Sequence, residues 1–370
     1  MKKFFIVAGD PSGDIHASKL MLALKSKSED IEFIGIGGRE MASAGLNSIA
    51  PIEQMSVVGF WEVAKKYKFF KNIMNECTKI IQNEKIDAFI PVDYPGFNIR
   101  LSKKAKENNV PVIYYIAPQL WAWGKNRAKK IAGNTDLLLT VLPFEKDYFL
   151  KYGINAKYVG HPLLDNPLLE KAMPEFDERE NLIALLPGSR EQEIKQHLPI
   201  MEEIVNKFVK DHPEYKVGVA ITNKSAKEIL SPYLTKYKNW ILFRNSLELM
   251  LKAKIGIVKT GTSNLEAALC GMPFVMVYKT SGLTFYLSKR LINLQYISLV
   301  NILLNQKVIS EYIQKDINIQ RMNDELMDLI SNKDRFEGLQ RKFQTVRKIL
   351  GEKGASDNAA DAILSFLSNK

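Results

Sequence analysis

Short apolar runs alternate with helical patterns twice along this 370-residue chain, and that alternation constrains the fold more than any other feature. Continuous apolar runs occur at residues 4–8, 33–36, 88–92, 112–115 and 137–141, separated by lysine-rich helical stretches, the first at 14–26. The pattern restarts at 182–186, 217–221, 240–243, 255–258 and 274–278. A strand that is apolar on both faces is buried on both, as in a parallel sheet covered by helices. The expected fold class is therefore α/β, with two Rossmann-like doubly wound parallel-sheet domains facing a cleft. Between the two series, residues 161–180 carry Pro162, Pro167, Pro174 and several acidic residues with little periodicity, which reads as a linker. The expected domains are 1–165, acceptor- and membrane-facing, and 166–345, nucleotide-binding. A C-terminal helical piece, 346–370, has an apolar face at 359–367 and packs back on one of them.

Composition removes several function classes. Apolar residues make up 46% and charged residues 25%, ordinary for a soluble globular protein. Cys77 and Cys270 lie far apart in apolar helical patterns and read as buried free thiols of a reducing compartment. His16, His161, His197 and His212 are scattered without metal-ligand spacing, so no bound metal and no cofactor is expected. Two lysines precede the first apolar run, but it stops at Gly9-Asp10 and reads as a strand rather than a signal peptide. No apolar stretch of transmembrane length occurs. The net charge of +11 suits nucleic acid, anionic lipid or a phosphorylated substrate without choosing among them.

Ligands of open α/β sheets bind beyond the carboxyl ends of the strands, so the loops there carry the functional reading. The first strand runs into Gly9-Asp10-Pro11-Ser12-Gly13-Asp14, a glycine turn before a helix. It reads either as an anion site or as an ordinary turn capped by Ser12 or Asp14. The run 88–92 ends in Asp93-Tyr94-Pro95-Gly96-Phe97-Asn98; Asp93 there is a candidate general base, and turn chemistry is the plainer alternative. Gln119, Trp121 and Trp123 follow Pro118 in a loop that either walls a pocket or fills a core. His161 falls at the expected hinge, where a ligand contact and a structural role are equally open.

Two turns in the second half are more specific. Residues 182–186 lead into Pro187-Gly188-Ser189-Arg190 and then a helix. Ser189 is a candidate N-cap with Gln192 three residues on, and Gly188 lets the backbone approach a ligand. Arg190 offers a planar cationic fork at the positive end of a helix dipole, a position that capping does not explain and a diphosphate does. Residues 255–258 lead into Lys259-Thr260-Gly261-Thr262-Ser263-Asn264-Leu265-Glu266, again strand, glycine turn, helix. Glu266 reads as the partner of Ser263 in a capping box, as the acceptor of two ribose hydroxyls, or as both. A dinucleotide fingerprint and a P-loop are both absent.

Together these segments resemble lipid-A-disaccharide synthase. The resemblance rests on 9–14, 93–98, 118–123, Leu142-Pro143-Phe144-Glu145, Val159-Gly160-His161-Pro162, 186–190, 260–266, and 285–290 with 296–301, in the family's order from about Phe4 to Ile309. It implies a GT-B fold and a metal-independent, inverting transfer of 2,3-diacylglucosamine from UDP-2,3-diacylglucosamine to the 6-hydroxyl of 2,3-diacylglucosamine 1-phosphate. Asp93 matches the family's proposed catalytic aspartate, Glu266 its ribose-binding glutamate, and Asn301 an asparagine near the nucleotide-sugar. Gly188, Ser189, Arg190, Thr260, Gly261, Thr262 and Ser263 would then bind the UDP-sugar. Ser12, Gly13, Asp14, Asn98, Gln119, Trp121 and His161 would line the acceptor side. Asp10 stands where many members carry glutamate, and Gln119-Leu120 replaces a more usual small pair. Some members dimerise by exchanging C-terminal parts, so a homodimer stays open. The implied location is cytoplasmic, peripheral on the cytoplasmic face of the inner membrane.

The segment 55–74 bears on that location. At helical spacing Val63, Tyr67, Phe70 and Met74 share one face, expected in the core. Trp61 and Phe69 project elsewhere among Lys65, Lys66, Lys68 and Lys71, which suits an anionic lipid surface or a plain solvated helix face. Two other readings compete. A peptidoglycan glycosyltransferase or a UDP-N-acetylglucosamine 2-epimerase would share the fold and the ribose glutamate but lacks the combined 93–98 and 118–123 loops. A nucleic-acid-binding protein fits the charge, but the lysines are dispersed and no binding motif appears, so no nucleic-acid partner is expected.

Overall fold

The computed structural model describes residues 1–28, 30–55, 66–123, 125–220, 224–280, 282 and 294–369. Trp61, Val63, Lys65 and the 285–290 segment lie outside the described residues. The chain divides into two compact units, Met1–Asp165 with Glu352–Lys370, and Asn166–Gly351.

The first unit is built on seven strands: β1 (Lys2–Ala8), β2 (Ile31–Gly37), β3 (Leu46–Pro51), β4 (Ala88–Val92), β5 (Ile113–Tyr115), β6 (Leu137–Thr140) and β7 (Ala156–Tyr158). Their order in the sheet is β3-β2-β1-β4-β5-β6-β7, and neighbours run parallel. Alternate residues of β1 feed opposite layers, as the two-residue repeat of a strand requires. Phe4 and Ile6 pack with Leu20, Leu24 and Ile363. Phe5 and Val7 pack with Phe89 and with Ile73, Cys77 and Ile81.

The second unit carries β8 (Glu180–Leu186), β9 (Lys216–Ala220), β10 (Trp240–Phe243), β11 (Ala253–Lys259), β12 (Phe274–Tyr278) and β13 (Glu311–Ile313), in the order β10-β9-β8-β11-β12-β13. Its neighbours are also parallel. Arg179 ties the linker to this unit. Its buried guanidinium donates to the carbonyls of Met250, Ala253 and Cys270, at the carboxyl ends of the helices Ser246–Lys252 and Thr262–Leu269. A cation is favoured where helix carbonyls are left without partners.

In each sheet the order reverses once, between β1 and β4 and between β8 and β11. Connections on either side of such a reversal cover opposite faces, so the loops leaving the two central strands part and leave a crevice. The first crevice is bounded by 9–14 and 93–98, the second by 187–190 and 260–266.

The structure adds what the apolar pattern did not reveal. The edge strand β13 is only three residues long, and the edge strand β3 has two consecutive exposed residues, so neither shows a continuous apolar run. The expected boundary at 345/346 falls inside the helix Lys333–Leu350, which buries Phe336, Phe343, Val346 and Leu350 in the second unit. Gly351, with φ of 76°, ends that helix. The last helix, Ala355–Ser368, then packs on Pro11–Lys27 of the first unit. Asp165 fixes its start by accepting from the Gly354, Ala355 and Ser356 amides.

The face expected to be core in 55–74 is rotated. Ile73, Cys77 and Ile81 carry the buried stripe of the helix Tyr67–Asn83. Tyr67 is 64% exposed, and Phe70 and Met74 are only partly buried. Phe69 is half-buried with its edge on Phe70 instead of projecting freely, while Lys68 is exposed.

Candidate active site

The β1 loop is capped by neither Ser12 nor Asp14. Asp10 is the N-cap of the helix Pro11–Lys27, its side chain accepting from the Gly13 amide at 2.8 Å. Asp14 is buried, and its carboxylate accepts from the amides of Gly38, Glu40 and Met41, fixing the turn after β2. Ser12 is exposed in the first turn of that helix. Gly9 is required by crowding: a Cβ there would lie 2.2 Å from the Tyr94 ring.

Asp93 and Tyr94 both adopt left-handed backbone, with φ of 44° and 49°. Such conformations cost roughly 1–3 kcal/mol each and persist only where surroundings over-determine them. Those surroundings are explicit here. The Asp93 amide donates to the Tyr115 carbonyl, and its carbonyl accepts from Tyr114 Oη at 2.6 Å and Asn98 Nδ2 at 2.8 Å. Asn98 is fully buried and also reaches the carbonyls of Val7 and Val92. Asn98 thus anchors the Asp93 loop through its amide nitrogen. The Tyr94 hydroxyl donates to the Met55 carbonyl.

Trp121 is positioned by a residue the sequence reading left outside the site. Its Nε1 donates to Glu145 Oε1 at 2.9 Å, and its ring meets Phe144 edge-on at 5.0 Å. Glu145 is 1% exposed, and its other oxygen accepts from the amides of Val141 and Leu142. Burial pushes its carboxyl up to about 7, against the opposing hydrogen bonds, and the nearby Asp93 charge acts in the same direction as burial. In the sequence Glu145 belongs to the Leu142-Pro143-Phe144-Glu145 segment of the family resemblance, but at the start of a helix it also reads as a cap. Gln119 is exposed. His161 is buried, with Nδ1 accepting from the Leu163 amide, and burial pushes its imidazole down to about 3. It is a buried, neutral imidazole of the first unit.

In the second unit the helix Glu191–Asp211 begins after Arg190, which is itself the N-cap residue and makes no side-chain cap bond. Ser189 is therefore not the cap. Its amide instead donates to Glu193 Oε2. Gly188 has φ of 122°, and a Cβ there would lie 2.5 Å from the same oxygen. Arg190 and Lys259 both reach Glu193 Oε1, at 3.3 and 2.8 Å. Gly261, with φ of 130°, precedes the helix Thr262–Leu269. The Thr260 amide joins the sheet through the Val277 carbonyl, Thr262 is exposed, and buried Asn264 ties the turn back to the Lys259 carbonyl. Burial pushes the Glu266 carboxyl up to about 7, opposed by the hydrogen bond with Ser263.

Asn301 is placed differently from the expectation of a sugar contact. It is fully buried, donates to the Ile309 carbonyl and Glu311, and accepts from the Val308 and Ile309 amides. Its amide is committed to holding the chain before β13. Among the described residues no three His, Cys, Asp or Glu side chains gather as metal ligands would.

Two Rossmann-like parallel sheets, each with its glycine turns at the reversal of strand order, place the chain in the GT-B class. Solved structures share this fold: a putative UDP-N-acetylglucosamine 2-epimerase from Listeria monocytogenes aligns with a TM-score of 0.64 at 14% identity, covering 98% of this chain and 94% of that one. The calicheamicin glycosyltransferase CalG4 aligns at 0.63 and 12% identity, covering 100% and 98%. The family model described as lipid-A-disaccharide synthetase matches residues 4–365. A lipid-A-disaccharide synthase of Sulfurihydrogenibium sp. is 34% identical, with 99% of each chain covered. The chain belongs to the lipid-A-disaccharide synthetase family of glycosyltransferases.

The buried Glu145 carboxyl makes a pH prediction. Between its ordinary value of 4.5 and about 7 the folded protein binds a proton that the unfolded chain does not. Stability from this group is complete below that window and declines as pH rises through it. Calorimetry between about pH 5 and pH 8 should register a fall in melting temperature that is smaller in Glu145→Gln; equal slopes would remove Glu145 as its source.

Proposed function

We propose that this chain transfers the 2,3-diacylglucosaminyl group of UDP-2,3-diacylglucosamine to the 6-hydroxyl of 2,3-diacylglucosamine 1-phosphate. The products are the β-1,6-linked disaccharide 1-phosphate and UDP. Asp93 takes the proton of the 6-hydroxyl as that oxygen attacks the anomeric carbon. The bond from that carbon to the diphosphate oxygen breaks on the opposite face, which inverts the configuration. Arg190 and the amides at the two helix starts offset the charge gathering on the leaving UDP. Glu266 accepts from the ribose hydroxyls. The observation that carries the reading is the position of Asp93, at the strand-order reversal of the first unit and held there by three backbone hydrogen bonds.

Both substrates are acylated, and a feature of the first unit suits them. A cavity of about 510 Å³ is lined by Tyr67, Phe70, Met74, Tyr94 and Phe97, with Lys71, Arg100 and Lys104 among its walls. Tyr94 directly follows Asp93, so apolar surface adjoins the proposed base. The three cations are exposed and suit a phosphate or an anionic lipid surface. No described helix is long and apolar enough to cross a membrane. Working peripherally on the cytoplasmic face of the inner membrane is the mode this chemistry favours.

Incubation with the two substrates, followed by mass detection of disaccharide and UDP, tests the reaction. Asp93→Asn and Arg190→Ala should each lose about 100-fold or more in turnover while keeping the wild-type melting temperature. Near-normal turnover in either variant would overturn the role given to that residue. A second expectation follows from Glu266. Only its carboxylate accepts from both ribose hydroxyls, so uridine affinity measured by calorimetry should climb about tenfold per pH unit up to about 7 and then level off. Glu266→Gln should bind uridine weakly with a flat profile; an unchanged slope would place the ribose elsewhere. At the membrane, Arg100→Glu/Lys104→Glu should reduce sedimentation with phosphatidylglycerol vesicles at low salt, and undiminished binding would exclude this surface.

A further inference from the structure

The charge cluster under the 187–190 turn contains a cation that the sequence reading did not assign. Glu193 stands in the first turn of the helix Glu191–Asp211. One of its oxygens holds the Ser189 amide at 3.2 Å and fills the space a Gly188 side chain would need. The other receives Arg190 from the same turn and Lys259 from the end of β11. Lys259 Nζ lies 3.8 Å from where a Cβ on Gly261 would stand. The ammonium thus bridges two glycine turns that leave the two central strands of this sheet. The Glu193 and Lys259 side chains are only 19% and 17% exposed. Burial alone would raise the Glu193 carboxyl; Lys259 and Arg190 outweigh it and hold the group below its ordinary value.

Two cations, Arg190 and Lys259, share this carboxylate. It lies beside the turns that open the helices Glu191–Asp211 and Thr262–Leu269, and helix starts favour anions. We propose that Lys259 is a second cationic ligand of the diphosphate, and that Glu193 is the positioning residue that holds Lys259 and Arg190 ready across the two turns. Prepositioned cations need no ordering when the diphosphate arrives, which is where the affinity is gained. The inference rests on the UDP reading above. The competing account is that Lys259–Glu193 is a structural pair that only staples the turns together.

Comparing UDP with uridine separates the two, because uridine lacks the phosphates. In calorimetric titrations, Lys259→Met should bind UDP about tenfold more weakly, about 1.4 kcal/mol, while uridine affinity stays within about twofold. Lys259→Arg should restore UDP binding. If Lys259→Met leaves Glu193 so poorly paired that the protein does not fold, Lys259→Met/Glu193→Gln removes the stranded charge and is read in its place. Equal weakening toward uridine and UDP, or no weakening toward UDP, would overturn the assignment. Wild-type protein that binds uridine but not UDP would overturn it as well. Failure of the wild type to bind either compound would sink the UDP reading itself, and this inference with it.

Discussion

The reversal of strand order in each sheet is the constraint on which the rest depends. A parallel sheet whose connections all stayed on one face would close its loops over the strand ends. Here the chain leaves β1 and β8 toward one edge and returns to the other side with β4 and β11. The loops at these positions are the ones that must part, so a crevice forms without any side chain being spent to open it. Asp93 and the glycine turns stand where that parting occurs.

Much of the buried polar chemistry serves to hold what borders those crevices. Asn98, Tyr114 and the Tyr115 carbonyl fix the left-handed Asp93 backbone. Glu145 orients Trp121, and Glu193 orients Ser189, Arg190 and Lys259. Asp14, Asp165 and Asn301 do comparable work for the β2 turn, the last helix and the approach to β13. Each pairs with backbone or side-chain donors or acceptors that burial would otherwise leave unpaired, which is costly in a low-dielectric interior.

Two carboxyls, Glu145 and Glu266, are pushed up to about 7 by burial in different units. One answers a tryptophan and two amides, the other a serine. Desolvation outweighs these hydrogen bonds in both, so each remains protonated to near neutrality until a new donor or cation arrives. For Glu266 the ribose hydroxyls of the proposed nucleotide would be such donors.

The sequence by itself determined the two parallel sheets, because a strand apolar on both faces has no other stable environment. It also determined the glycine turns at 188 and 261, because a positive φ and close approach demand that residue. The apolar run at 88–92 and the Tyr-Pro-Gly turn after it located Asp93 at a strand end. Edge strands β3 and β13 escaped because β3 carries exposed polar residues in its middle and β13 is only three residues long. The roles of Asn98, Asp14, Glu145 and Asn301 escaped because a polar residue looks the same in sequence whether it faces ligand or interior. Only the fold decides which way it points. Lys259 escaped for a related reason: its partner is 66 residues away, and nothing local couples the two. The strand order that brings β8 beside β11 is what makes them neighbours.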